Sequence, residues 1–288
     1  MEGTRMHTGI TVYEAHQRRR TGMLAAVCIM AADAVRCREL IWQLFRRDFF
    51  MQYKKSFLGL GWIVLSPLLG FASWVFMNAA GVLNPGTMDF PYPAFVIIST
   101  TLWGFFSNCV VAASRTLKAG QGFIDQVHYP HHTMLVKELL QAYANFLISF
   151  VFVSVLLLCF GVNLHALYWA APVLVVPMLV FAAAIGLTAS IITVVAMDIE
   201  KALGYLLGFL MFLTPVVYTA EDRTGIVKAI LALNPMTYLH GCARDLIVFG
   251  RTAGADVFLG LTLSAFLLLL LSMKWFYVAE EKVIEKMF

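Results

Sequence analysis

Six apolar runs, each of roughly bilayer length, constrain this chain more than any other feature of its sequence. About 20 apolar residues span the hydrocarbon core of a membrane as a helix, because a backbone in lipid has to satisfy its own hydrogen bonds. The pattern therefore predicts an all-α membrane protein with six transmembrane helices. The runs are residues 57–82, 93–113, 134–160, 168–196, 203–219 and 255–276.

Composition supports this assignment. Of the 288 residues, 60% are hydrophobic and 13% are charged, whereas soluble domains have about 45–50% apolar and about 25% charged residues. A soluble globule with so few charged side chains could not cover its surface. The composition therefore excludes an ordinary soluble domain.

The basic residues indicate which side of the membrane each end faces. Ten of the 21 Lys and Arg residues precede residue 56, and the first two outer loops contain none. Cytoplasmic loops carry an excess of Lys and Arg, so we expect both termini inside and do not expect nucleic acid as a partner. The outer segment 220–254 carries four basic residues and departs from this pattern.

The spans divide the chain into four parts. We expect a cytoplasmic N-terminal tail at 1–36, an interfacial amphipathic helix at 37–56, a six-span transmembrane domain at 57–276 and a cytoplasmic C-terminal tail at 277–288.

The expected interfacial helix has an aromatic face. Trp42, Phe45, Phe49 and Tyr53 repeat at positions that share one side of a helix. Such rings favour the headgroup boundary, and basic groups favour anionic lipid. An amphipathic helix packed on another cytoplasmic element has the same pattern, so both interpretations stay open. The basic residues, which fall mostly elsewhere, are Arg46, Arg47, Lys54 and Lys55.

Motifs that mark catalysis or nucleotide binding are missing from the sequence. It contains no G-x-x-x-x-G-K-[ST] phosphate loop, no H-E-x-x-H zinc motif and no G-x-S-x-G nucleophile motif. The five cysteines form no C-x-x-C pair and are expected to be buried thiols. We therefore expect no catalytic residue, no metal site and no cofactor bound by this chain.

Three motifs resemble ABC transporter permeases of the type-two exporter family. RDFFMQYKKSFLGLGW at residues 47–62 is similar to the family's motif that leads from an interfacial helix into the first span. NPMTYL at 234–239 resembles the Asn-Pro-Leu-Thr-Tyr segment before its last span. FIDQVHYP at 123–130 resembles its cytoplasmic stretch between the second and third spans, although Arg usually follows the proline where this chain has His131.

The branch of that family that this chain resembles most is the polysaccharide exporters, which move lipid-linked O-antigen, capsule or teichoic acid polymers. The resemblance implies a transport subunit, not itself an enzyme, in the cytoplasmic (inner) membrane of a bacterium. The implied partners are a second copy of this chain, lipid-linked polysaccharide, membrane lipid and two copies of a cytoplasmic ABC ATPase that binds ATP and Mg. An exporter of a drug or small lipid, and an intramembrane lipid-sugar transferase, are the alternatives.

Small, polar and aromatic side chains on two spans are candidates for a substrate channel. Sugars present apolar C–H faces that stack on aromatic rings, so a row of rings suits the passage of a polymer. Helix packing through small residues, with rings facing lipid, explains the same pattern; the resemblance favours a channel. The candidates are Trp62, Ser66, Ser73 and Met77 on the first span and Tyr205, Phe209 and Phe212 on the fifth.

The resemblance implies three further sites. The residues expected to couple to the ATPase are Lys118, Phe123, Ile124, Tyr129, Pro130 and His131. Those of the interfacial helix are Trp42, Phe45, Arg47, Asp48, Phe49 and Tyr53. Those of an outer gate, in two short helices expected to re-enter the outer leaflet, are Asn234, Pro235, Tyr238 and Arg244.

Overall fold

The computed structural model is helical along the part of the chain that it describes. The described residues are 17–54, 59, 61–86, 90–118, 130–162, 164–194, 196, 198–220, 224–250 and 254–287, and no β-strand lies within them. The all-α prediction is confirmed for these ranges.

The helices are numbered in chain order. They are α1 (Gln17–Arg20), α2 (Met23–Arg36), α3 (Arg38–Lys54), α4 (Gly61–Ala79), α5 (Tyr92–Ser114), α6 (Thr133–Cys159), α7 (Ala171–Leu174), α8 (Val176–Thr193), α9 (Asp198–Leu210), α10 (Gly225–Leu233), α11 (Pro235–Phe249) and α12 (Ala255–Met287). A 3-10 helix at Ala166–Ala170 leads into α7.

Within the described ranges, four helical segments are long and apolar enough to cross a membrane. They coincide with the second, third, fourth and sixth apolar runs, so these four predictions are confirmed in length and composition. The segments are Tyr92–Ser114, Thr133–Cys159, Ala166–Thr193 and Ala255–Glu280.

The other two predicted spans are shorter as helices. α4 has 19 residues, about 28 Å at 1.5 Å per residue, and its described apolar part is Pro67–Ala79. α9 has 13 residues, about 20 Å, and residues 211–218 continue as turns and bends. Pro215 would clash with the carbonyl of residue 211 in a continued helix, which explains why α9 stops short of residue 219. The count of six spans stays a prediction.

The core lies around α5, which packs on α4, α6 and α8, while α8 packs in turn on α12. Between α5 and α8 the backbones approach closely at Gly186. A Cβ added there would lie 2.4 Å from the carbonyl oxygen of Val110 and 2.5 Å from the Cβ of Ala113. In lipid, helices associate through this kind of close contact at small residues.

The N-terminal helices pack beside the spans: α2 contacts α12, and α3 contacts α6. The last helix, α12, continues through the expected tail boundary at residue 276 and ends at Met287. The position of the cytoplasmic boundary along α12 stays a prediction.

Candidate functional site

The aromatic candidates on the fifth span form one exposed face of α9 and of the turn that follows it. Tyr205 is 82% exposed, Phe209 60% and Phe212 54%. Side chains four and three residues apart share a helical face, so these three rings, the aromatic row, follow the helix lengthwise. Rings this exposed are open to a second subunit, to substrate or to lipid. Their assignment to a channel stays a prediction.

The candidates on α4 approach the aromatic row through a neighbouring tryptophan. The Trp74 ring meets Phe212 edge to face, with 5.8 Å between the ring centroids. The hydroxyl of Ser73 donates to the carbonyl of Leu69 in its own helix, and the side chain of Ser66 lies outside the described part of the chain. The exposed or half-buried candidates of α4 are Trp62, Ser73 and Met77.

An ion cluster joins the end of α5 to the start of α9. Arg115 donates to Glu200 Oε1 from Nε and Nη2 at 2.7 Å, and Lys118 Nζ lies 3.5 Å from Glu200 Oε2. Burial raises the pKa of Glu200, but the hydrogen bond from Arg115 and the two positive charges outweigh it and hold the pKa below its ordinary value. Glu200 is therefore ionised at neutral pH. Arg115, Lys118 and Glu200 are called the Glu200 cluster below.

A second ion cluster surrounds Glu280 near the end of α12, where the carboxylate is buried. Arg18 Nη1 lies 2.7 Å from Glu280 Oε2, and the backbone N–H of His131 donates to Oε1 at 2.9 Å. The His132 ring lies between Glu280, at 3.7 Å, and Asp33, at 3.5 Å. This Glu280 cluster ties α1, α2 and the residues before α6 to the last helix.

The two clusters bracket the segment that was expected to couple to the ATPase. Lys118 lies at its start and His131 near its end, so carboxylates of this chain hold both side chains. The carbonyl of Pro130 accepts from the N–H and the hydroxyl of Thr133 in the first turn of α6. The remaining coupling candidates, Phe123, Ile124 and Tyr129, lie outside the described residues.

Both carboxylates were missed as candidates in the sequence. Glu200 lies in the charged break between two apolar runs. Because an acidic residue beside a membrane span needs a partner, this position could have identified Glu200 as a candidate. Glu280 precedes Glu281 in the expected tail, and no pattern separates the two.

The expected interfacial helix exists as α3, with its aromatic side chains in contact. The ring centroids of Trp42 and Phe45 are 5.3 Å apart, and those of Phe45 and Phe49 are 5.6 Å apart. Trp42 is exposed, whereas Ile41 on the same helix is buried. α3 is a helix whose aromatic rings are in contact up to Phe49; its role as an interfacial helix stays a prediction, and the side chain of Tyr53 lies outside the described part.

The motif Arg47-Asp48 attaches α3 to α6. Asp48 Oδ2 lies 2.7 Å from Lys137 Nζ, and Arg47 Nη2 lies 2.7 Å from Asp48 Oδ1. Burial raises the pKa of Asp48, but hydrogen bonds from Arg47 and Lys137 outweigh it and lower the pKa. One face of α3 thus packs on the protein while Trp42 stays exposed. Placement of that face on the membrane surface stays a prediction.

In the outer segment, the Asn-Pro motif caps α11 and holds the turn after α9. The Oδ1 of Asn234 accepts from the N–H of Met236 at 2.9 Å, an N-cap. Its Nδ2 donates to the carbonyl of Leu213 and to the hydroxyl of Thr214. Pro235 takes the first helical position, where the missing N–H costs nothing. Two short helices, α10 and α11, thus meet at Asn234; their re-entry into the membrane stays a prediction.

Arg244 holds the same turn from the middle of α11. Its Nη1 donates to the carbonyl of Pro215, its Nη2 donates to Asp245, and its guanidinium lies 4.6 Å from the centroid of the Phe95 ring. Asn234 and Arg244 therefore connect α11 to the stretch that ends α9. Tyr238 is half-buried on α11.

Comparison with known proteins identifies the family of the chain. The sequence profile of the ABC-2 type transporter family matches residues 39–248, from α3 through α11. The chain belongs to the ABC-2 type transporter family. The match includes α3, α10 and α11 and ends before α12, so the Glu280 side of the second ion cluster lies beyond it.

Curated relatives match most of this ABC-2 family chain. One is an O-antigen export system permease protein RfbA of Myxococcus xanthus, 26% identical over 237 residues, which are 81% of this chain and 89% of that protein. Two proteins of the same name from Klebsiella pneumoniae are 21% and 20% identical over 216 residues, which are 74% of this chain and 81% of each relative.

Proposed function

We propose that this chain is the transmembrane subunit of an ABC exporter that moves a lipid-linked polysaccharide across the cytoplasmic membrane. The observation that carries the proposal is the match to O-antigen export permeases along 81% of this chain and 89% of the Myxococcus xanthus relative. The family match and the four long apolar helices support a membrane transport subunit.

Energy for export comes from a separate cytoplasmic ATPase, in two copies, which bind ATP and Mg. The sequence of this chain has no phosphate loop of its own. The ATPase contacts the segment between Lys118 and Pro130. When ATP hydrolysis displaces this segment, the Glu200 and Glu280 clusters at its two ends transmit the displacement to α9 and α12. Each cluster ties one end of the segment to one of those helices.

The working transporter is a homodimer with its channel between the two copies. The support is the exposure of the aromatic row on α9. Two copies that face each other through this surface enclose rings on which successive sugars stack, whatever their order in the polymer.

Both termini lie in the cytoplasm, as the ten basic residues before residue 56 favour. In a cysteine-free variant, Val82→Cys, at an exposed position after α4, should react with an impermeant maleimide added to intact cells. Arg36→Cys, at an exposed position on α2, should react after the cells are opened. The opposite pattern would invert the topology.

The channel and the transport function are tested together by leucine variants. Cells that lack this chain should retain polymer inside, and the wild-type chain should restore export. Replacing Trp62, Tyr205, Phe209 or Phe212 by Leu should lower export by about two- to tenfold per ring, since stacking is worth about 0.5–1.5 kcal/mol. Because the rings are exposed, the melting temperature should change little.

Trp275→Leu is the matched control, because Trp275 is 68% exposed and lies on α12, a different helix from the one that carries the aromatic row. Its export should equal that of the wild type. Export that falls in step with the melting temperature across the four variants would refute the channel lining. Export that continues without this chain would refute the transport function itself.

A further inference from the structure

A groove of about 590 Å³ opens between α4, α5 and α6. Three of the six tryptophans of the chain lie in its walls, together with uncharged polar side chains. Among the described residues that line it, none is ionisable. The lining residues that matter below are Trp62, Trp74, Trp103, Asn108, Asn145 and Ser149.

The polar side chains lie at membrane depth. Asn108 is six residues before the end of α5, about 9 Å along the helix axis, and it is exposed toward the groove. In the described part of the chain, no hydrogen bond joins its side chain, or that of Ser149, to another residue. An amide that faces hydrocarbon without a partner is costly. The groove therefore suits a polar occupant.

A line of polar residues on α6 leads from the cytoplasmic end into this groove. Lys137, Gln141, Asn145 and Ser149 are spaced by four residues and share one face of the helix. Gln52 of α3 connects two of them, because it accepts from Gln141 at 3.0 Å and donates to Asn145 at 3.4 Å. The interfacial helix and the groove are thus joined by side chains that can exchange hydrogen bonds with a ligand.

We propose that this groove binds uncharged sugar units of the polysaccharide within each subunit, an inference that rests on the proposed function. Amides and hydroxyls match sugar hydroxyls, and tryptophan rings match the apolar C–H faces of sugars. A phosphate would call for Arg or Lys in the lining, and an acyl chain would leave Asn108 unpaired. A neutral, polyhydroxylated ligand satisfies both kinds of side chain.

The site is tested by photo-crosslinking in cells that express the full complex. p-Benzoylphenylalanine replaces Ser149 in the groove, Phe209 in the aromatic row or Leu263, which is 67% exposed on α12. Irradiated protein is purified and probed with a lectin for the cell's own polymer. The groove position should carry at least about five times more polymer than the α12 position, as expected for a site against a lipid-facing control.

Each outcome decides the proposal. Adducts at Ser149 to a second copy of this chain would make the groove a subunit interface, and adducts to phospholipid alone would make it a lipid contact; either result overturns the proposal. Polymer adducts at Phe209 without any at Ser149 overturn the groove site and leave the proposed function standing. Polymer adducts at neither position, with export independent of this chain, overturn both.

A substitution gives an independent readout. Asn108→Leu keeps the number and branching of the side-chain heavy atoms and removes the hydrogen-bonding group, so export at limiting polymer should fall about tenfold while the melting temperature holds or rises. The matched control is Asn78→Leu on α4, outside the groove, where export should stay within about twofold. A lower melting temperature for Asn108→Leu with unchanged polymer crosslinking would make Asn108 structural and contradict its role in sugar binding.

Discussion

Glu200→Lys should reduce polymer export by at least about tenfold while the partner ATPase continues to hydrolyse ATP. The substitution turns the attraction of Glu200 to Arg115 and Lys118 into repulsion. This contact joins α9 to the start of the segment that we propose binds the ATPase. These side chains are partly exposed, so the pair contributes at most about 1 kcal/mol to stability. Export should therefore fall far more than the melting temperature, and the ratio of ATP hydrolysed to polymer exported should rise.

Two further variants separate coupling from a general charge effect. Asp198→Lys makes the same charge change two residues earlier, at an exposed position, and should leave export within about twofold. Adding Arg115→Glu to Glu200→Lys restores an opposite-charge pair and should recover at least about half of export. Equal losses in the two lysine variants, or no recovery in the swap, would refute the role of the Glu200 cluster.

The pH dependence of this link follows from the lowered pKa of Glu200. A carboxyl group with a lowered pKa contributes its full stabilisation above its ordinary pKa and loses it as the pH falls through the lowered value. The Glu200 contact should therefore stay constant between about pH 6 and pH 8.

Gly186→Ala should destabilise the helix bundle by several kcal/mol and lower the amount of folded protein in the membrane. The added methyl group would collide with the backbone of α5, 2.4 Å from a carbonyl oxygen, and a backbone cannot move aside as a flexible side chain can. Overpacking typically costs about 1–3 kcal/mol, and a backbone collision lies at or above that range. The measurement is the melting temperature of purified protein.

Gly260→Ala is the matched control for this prediction. Gly260 is also inside a helix, α12, but a Cβ there meets no atom within 4 Å. The same substitution should be neutral or slightly stabilising, because alanine favours helix by up to about 1 kcal/mol. If Gly186→Ala melts at the wild-type temperature, α5 and α8 do not pack as closely as the structure describes.

The sequence predicted those features that have one physical solution. A long apolar run in lipid is helical, because its backbone groups must satisfy their hydrogen bonds within the run. Hydropathy therefore predicts the positions of α5, α6 and α12. The aromatic face of α3 follows from the helical spacing of its rings.

Features that depend on which distant residues meet were not predictable. Glu200 pairs with Arg115 across 85 positions, and one sequence carries no information on such a distance. Gly186 is one of 20 glycines, and its neighbour on α5 decides its importance. The early end of α9 depends on Pro215 and on the hydrogen bonds that Asn234 and Arg244 donate to backbone carbonyls of the turn after α9.

α12 has 33 residues, about 50 Å of helix, against about 30 Å of hydrocarbon. Its N-terminal end adjoins α11, where the Sγ of Cys242 donates to the carbonyl of Gly254, and its other end carries Glu280. The helix contains no proline at which to kink. We expect a tilt imposed at the Glu280 end to be carried to the other end by the continuous backbone of this helix, without a relay of side chains in between.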